Sequence, residues 1–351
     1  MDESTSPTAR PALWQKWVAT AVATLLLAGC GGSGEDSSDA LLIDYQQALA
    51  ARLGMEAPEP RPPANIGAFP ERRERLVEIP ETRDGMLNVY ALRECHITTL
   101  VAERNSALGR VAPASQRWLY ELELWKRLDA CLASDVPERL AEADRERLER
   151  LAAIKTEQLP RVSWNSLFDS DEWVRSFSRA SSPLAHESLA PPPAQRDALA
   201  FLHDLTRHQF RPDRRPDADR LEGHLQALQA RPYTAELLRT LMLAEQRLEE
   251  ASDLLQVALD RHDGCARTAG AGDSPTAADM ATWLTRLEDA ATRWLQDIDT
   301  LLEAQISGPQ AVGDYRRRWL SLEAPEAPLP AFQAARERHD TLRERLDRRC
   351  R

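Results

Sequence analysis

The sequence predicts an all-α protein built from antiparallel helical hairpins packed as a bundle, and three observations carry that expectation. Ala, Leu, Arg and Glu dominate the chain, and these residues lose least on entering a helix. Aromatic residues make up only 6% and β-branched runs are rare, so the usual strand signals are weak. Apolar side chains recur by threes and fours over several long stretches, which is the helical period. At 351 residues the chain fits one large domain or two smaller ones.

The first element is an export signal. Arg10 and Lys16 precede a charge-free run from Trp17 to Ala28, and Leu27-Ala28-Gly29-Cys30 closes it. Positive, apolar and small residues in that order make a secretory leader. The run is too short to cross a bilayer, which takes about 20 apolar residues. The closing tetrapeptide predicts lipoprotein processing, with Cys30 taking the acyl chains and becoming the new N-terminus. Several chains on one residue anchor firmly where one anchors marginally. Gly31 stands where an aspartate would signal inner-membrane retention, so the expected site is the periplasmic face of the outer membrane rather than the inner.

Beyond a Gly/Ser spacer, Leu41, Leu42, Tyr45, Leu49 and Leu53 predict a helix capped by Asp39 and stopped by Gly54. Pro58, Pro60, Pro62, Pro63 and Pro70 predict a stiff extended segment along the surface. Leu87, Ala91, Cys95, Thr98, Ala102 and Leu108 form one helical face, with Gly109 as its stop. Pro113 then starts a second helix carrying Trp118, Leu122, Trp125, Leu128, Cys131 and Leu132. These two read as an αα-hairpin. A third helix is expected from Pro137 to about Gln158, ended by Pro160. Trp164, Leu167, Phe168, Trp173 and Phe177 form an aromatic cluster, with Asp169 or Ser170 placed to cap a short helix. The Ser/Pro-rich stretch 181–193 is the best boundary between subdomains. A helix at 194–209 and a polar loop follow. Leu237, Leu241, Ala244, Leu248, Ala251, Leu255 and Ala258 make one heptad seam; Met280, Leu284, Leu287, Ala291, Trp294, Ile298 and Leu301 make another. The glycine-containing loop between them predicts an antiparallel pair within the bundle, rather than a dimerising coiled coil. A last helix near 329–349 ends at Cys350. The expected layout is therefore 1–29 leader, 30–70 lipidated start with a short helix and tether, 71–190 N-terminal subdomain and 191–351 C-terminal subdomain.

With Cys30 acylated, four cysteines remain, and an oxidising compartment predicts two disulfides out of three possible pairings. Cys95–Cys131 is favoured because both thiols lie on apolar faces, about 20 and 23 Å from the expected turn at 1.5 Å per residue. Cys265–Cys350 would staple the chain end to the tip of the long hairpin. Chain-entropy estimates give upper values of roughly 4 and 4.5 kcal/mol for the two.

Cys95-His96-Ile97-Thr98-Thr99-Leu100-Val101-Ala102-Glu103-Arg104-Asn105-Ser106-Ala107-Leu108-Gly109-Arg110 and Pro113-Ala114-Ser115-Gln116-Arg117-Trp118-Leu119-Tyr120-Glu121 resemble an uncharacterised family of Gram-negative lipoproteins, domain of unknown function 3080. Ile79-Pro80 and Trp164-Asn165 are similar too. The resemblance covers most of the chain after the leader. It implies a lipoprotein and no particular activity, cofactor or partner.

Charge and motifs narrow the function classes. With 45 basic and 56 acidic residues the net charge is −11, and no basic stripe offers a nucleic-acid surface. No nucleophile elbow, phosphate loop, dinucleotide fingerprint or His-Glu-x-x-His occurs. No cofactor or metal is expected; His203 and His208 fall on different helix faces. Glu103-Arg104-Asn105-Ser106, with Arg117, Tyr120 and Glu121, is the one candidate polar cluster. In one reading Glu103 is a general acid, and Arg104, Asn105, Arg117 and Tyr120 position an anionic or glycan ligand. In the other, Arg104 pairs with Glu121 across the hairpin and Asn105 bonds backbone. The expected function is a membrane-anchored binding or structural component of the envelope, meeting an envelope protein or peptidoglycan. The alternative is a periplasmic hydrolase acting on peptidoglycan or another glycan.

Overall fold

The computed structural model describes residues 37–82, 85–214, 217–261 and 275–350. Over these residues the chain is all-helical, with one isolated bridge between Ser37 and Ala185 and no named strand. None of the described helices is long and apolar enough to cross a membrane. The leader and Cys30 lie outside the described residues, as does Cys265.

Helix α1 (Ser38–Leu53) starts at Ser37, whose hydroxyl accepts from the Ala40 amide. Asp39 is therefore not the cap; its carboxylate instead accepts from Arg247 Nε at 2.8 Å. Gly54 ends the helix as expected, at φ 62°, a conformation that favours a residue without Cβ. The proline-rich stretch then runs extended and docks through Ile66, which is buried, into α2 (Arg72–Arg75).

The first expected hairpin holds in its second arm only. The arm at 87–108 is broken into α3 (Met86–Ala91), a tight turn at Arg93–Cys95, α4 (Thr98–Asn105) and α5 (Ala107–Arg110). His96 has φ 58°, a left-handed conformation that no helix interior contains. The buried residues are Val89, Leu92, Cys95 and Ile97, whereas Leu87 and Leu108 of the expected face are more than 80% exposed. The second arm is the regular helix α6 (Ala114–Leu132). Its Cys131 is bonded to Cys95, Cα to Cα 5.1 Å. Cys350 is also disulfide-bonded.

After α7 (Val136–Arg139), helix α8 (Glu142–Phe168) does not end at Pro160 but contains it. Proline removes one backbone donor there and costs about 3 kcal/mol or more. Burial of Leu159, Val162, Trp164, Leu167 and Phe168 beyond it outweighs that cost. Ser170 caps α9 (Asp171–Arg175) by accepting from the Trp173 amide at 3.2 Å. Trp164 stacks on Phe168 at 4.0 Å, and Trp173 meets Phe177 edge-on at 5.2 Å, so the expected cluster exists. Phe69 and Tyr315 complete it from either side of the chain.

Helix α10 (Pro193–Arg207) packs on α11 (Ala218–Gln229), which forms beyond the polar loop. Its Leu221, Leu225 and Leu228 are buried at helical spacing. The long helices α12 (Tyr233–Asp260) and α13 (Pro275–Glu303) form as expected but are not chiefly each other's partners. Helix α12 packs along the C-terminal helix α15 (Pro328–Arg349) and on α1, while α13 lies against α10. The short α14 (Gln310–Tyr315) and a wide turn at Arg316–Leu320 join α13 to α15.

Buried side chains fall into two clusters. The larger joins α1, the distal part of α8 and helices α9 to α15, and takes residues from both sides of the 181–193 stretch. The smaller gathers Val89, Leu92, Cys95 and Ile97 onto Leu124, Leu128 and Cys131 of α6 and Leu148, Leu151 and Ala152 of α8. Helices α6 and α8 belong to both clusters.

Candidate functional site

Between the two clusters lies a groove of about 650 Å³, within the range of small-molecule sites. Its walls are an extended strap at 76–82 and the inner faces of α4, α6 and α8.

On α6, Arg117, Tyr120, Glu121 and Leu124 recur at i, i+3, i+4 and i+7, so they share a face. The flanking stripe, Trp118, Leu122 and Trp125, about 100° round the helix, is buried in the large cluster and fixes the helix rotation. On α8, Leu151, Lys155, Gln158, Val162 and Asn165 share a face by the same spacing. Trp125 Nε1 donates to Thr156 Oγ1 at 2.9 Å and locks the two helices together.

The strap is held by polar side chains of α8 and α2. Asn165 accepts from the Val77 amide through Oδ1 and donates to the Val77 carbonyl through Nδ2, both at 2.9 Å. One side-chain amide thus replaces a neighbouring strand. Trp164 Nε1 donates to Arg75 O at 2.8 Å and Gln158 Nε2 to Pro80 O at 2.7 Å. Arg72 forks onto Asp169 at 2.6 and 2.8 Å, and Arg75 Nε donates to Phe168 O at 2.6 Å. These side chains together satisfy backbone groups that an extended segment leaves unpaired.

Of the candidate cluster, Arg104, Asn105, Arg117, Tyr120 and Glu121 line the groove. Glu103 is exposed and is not among the lining residues. The expected Arg104–Glu121 pair is replaced by Glu121–Lys155 at 3.0 Å. Arg104 instead donates Nη1 to Gly109 O at 2.9 Å and lies over the Tyr120 ring at 6.0 Å. The Asn105 carbonyl accepts from Arg110 Nε at 3.1 Å, but its side chain does not make the expected backbone bond among the described residues. Arg117 Nε donates to Ala112 O at 2.9 Å. Burial pushes the Tyr120 phenol well above its ordinary value, with the charge of Glu121 adding and that of Arg104 opposing. It is therefore a neutral hydroxyl at physiological pH.

Ile79, Val101, Leu124 and Val162 supply an apolar part of the same groove. Lys155, Gln158 and Asn165 are site residues the sequence reading missed, although Trp164-Asn165 stood out by resemblance. No cluster of three or more His, Cys, Asp or Glu that would hold a metal occurs among the described residues.

The class this architecture defines is an all-helical protein with a mixed polar and apolar groove, walled by a crosslinked helical layer and a clasped strap. Residues 42–275 match the model of a family described as a protein of unknown function, DUF3080, and the chain belongs to that family. The match contains the whole groove. No curated protein and no solved structure matches the chain.

Proposed function

We propose that the chain is a lipid-anchored envelope protein on the periplasmic side, tethered through Cys30 at the outer membrane, which recognises another envelope component through this groove. The observation that carries the binding reading is the convergence of Arg104, Asn105, Arg117 and Tyr120 on one concavity together with apolar side chains. Convergent polar groups in a partly apolar cleft mark recognition sites. General acid chemistry has less support: Glu103 is outside the lining, and Glu121 is neutralised by Lys155. The tether rests on Leu27-Ala28-Gly29-Cys30 and the leader before it.

Two measurements test this reading. Labelled palmitate should enter the mature chain and not the Cys30→Ser chain, which should accumulate unprocessed; acylation of Cys30→Ser would refute the tether. A photo-crosslinking residue at Asn105 in intact cells should give a discrete adduct that Arg117→Glu abolishes, while the same residue at Asp253 should not. Equal labelling from both positions would refute the groove as the binding face.

A further inference from the structure

The groove's charges do not cancel: Arg72, Arg104, Arg117 and Lys155 line it against the carboxylates of Glu81, Glu121 and Asp169. Arg72 is matched by Asp169 and Lys155 by Glu121. Arg104 and Arg117 make no ion pair among the described residues; each spends one donor on a nearby carbonyl, Gly109 O or Ala112 O. A guanidinium carries five donors, so most of each fork is uncommitted. Tyr120 sits between them: Arg104 is over its ring, and Arg117 is one turn before it on α6. Its hydroxyl makes no hydrogen bond among the described residues, although burial keeps it neutral and able to donate. Two cations and a neutral donor thus face one space in a chain of net charge −11. Directly beside them the lining turns apolar, with Val101 a turn before Arg104 on α4, Leu124 a turn after Tyr120 on α6, and Ile79 on the strap.

We propose that the groove binds an amphiphile with one oxyanion head, a carboxylate or a phosphate monoester, on a short acyl chain. This rests on the binding reading above and names the ligand's chemistry. The head lies between Arg104 and Arg117 and accepts from Tyr120, which suits the planar fork of arginine. The chain lies along Val101, Leu124 and Ile79. A bare inorganic anion leaves the apolar part unfilled, and an uncharged chain leaves both guanidiniums unmatched.

The test is calorimetric titration of the purified full-length chain with decanoate, decyl phosphate, decanol and inorganic phosphate, each below its aggregation threshold. Saturable one-to-one binding of decanoate or decyl phosphate is expected, and the tighter of the two identifies the head. Decanol and inorganic phosphate should bind at least about tenfold more weakly, the value of a charged hydrogen bond. The Arg104→Gln/Arg117→Gln pair should lose about tenfold or more for the anions and nothing for decanol. Because those arginines also support local carbonyls, Tyr120→Phe and the groove-filling Val101→Trp serve as independent variants; both should weaken the anions. Absence of saturable binding by either anion overturns the proposal, as does anion affinity equal to that of decanol or unchanged in all variants. Loss of the Asn105 adduct in Arg117→Glu alongside such a negative titration would leave the groove a binding face and refute only the ligand assigned to it.

Discussion

The two buried clusters are made by different means. The larger is helix on helix: α12, α13 and α15 bury continuous stripes of Leu, Ala and Trp, and Leu237, Leu241, Leu255 and Leu287 are fully buried. The smaller has short helices, a left-handed turn at His96, a disulfide and a strap clasped by side-chain amides. It also borders most of the exposed large apolar side chains: Met86, Leu87, Tyr90, Leu108 and Val111 all fall between residues 86 and 111, against Phe210 and Val257 elsewhere among the described residues. The packed region rests mainly on long apolar helix faces, whereas the smaller layer of short helices relies more on its disulfide and its side-chain hydrogen bonds. The groove lies where the fastened layer meets the packed one.

The largest effect is expected from a polar group inside the packed region. Arg247 is 2% exposed and bridges Asp39 on α1 to Glu250, which also holds Gln46 and Arg61. Removing it by Arg247→Ala leaves two carboxylates short of a partner, and should cost about 3–5 kcal/mol in chemical denaturation. A loss under about 1 kcal/mol would mean that the network is solvated.

Reduction of the crosslink comes next. Cys95→Ser should lower stability by about 2–5 kcal/mol, since the bond closes a long loop. Near-ultraviolet circular dichroism should keep the signal of Trp173 and Trp294, which lie in the other cluster. Collapse of that signal would show that the two regions are not separable.

Asn165→Leu removes both bonds to Val77 while keeping the helix, and should cost about 1–3 kcal/mol by leaving the strap backbone unsatisfied. Protease sensitivity should rise at 75–80. An unchanged digestion pattern would mean that Trp164 and Gln158 hold the strap alone.

The smallest effect concerns pH. Burial pushes the Glu250 carboxyl up, but hydrogen bonds from Gln46 and Arg61, and the charge of Arg247, together hold it below its ordinary value. A carboxylate depressed on folding adds stability above its unfolded pKa and loses it as pH falls through the folded value. Stability should therefore drop on acidification below the usual carboxylate range, and Glu250→Gln should flatten that part of the profile. A parallel slope in the variant would assign the acid sensitivity to other groups.

The packed region was largely legible because its period is regular: α6, α12, α13 and α15 follow from apolar spacing alone. Helix α11 was equally readable from Leu221, Leu225 and Leu228, but flanking prolines and charges masked it. Partnership was not legible, since α12 and α13 present seams that several helices fit. The fastened region defeated periodicity because Leu87, Ala91 and Cys95 mimic a helical face, while the crosslink and His96 turn the chain. Pro160 stays within α8 because the aromatic residues beyond it are buried, a tertiary effect with no local sign. Arg104, Asn105, Arg117, Tyr120 and Glu121 of the polar cluster line the groove, whereas Glu103 and Ser106 do not. Lys155, Gln158 and Asn165 were missed because isolated polar residues on a long helix look like solvated surface until the strap is laid across them.

Hydrogen exchange of the native chain and of the Cys95→Ser/Cys131→Ser chain, which keeps the disulfide of Cys350, tests the central distinction most directly. Breaking Cys95–Cys131 should accelerate exchange in amides of 86–105 and of the strap, and leave α12 and α15 protected to the same degree as before. Equal loss of protection in α12 would contradict the account, because the groove wall and the packed bundle would then be one cooperative unit.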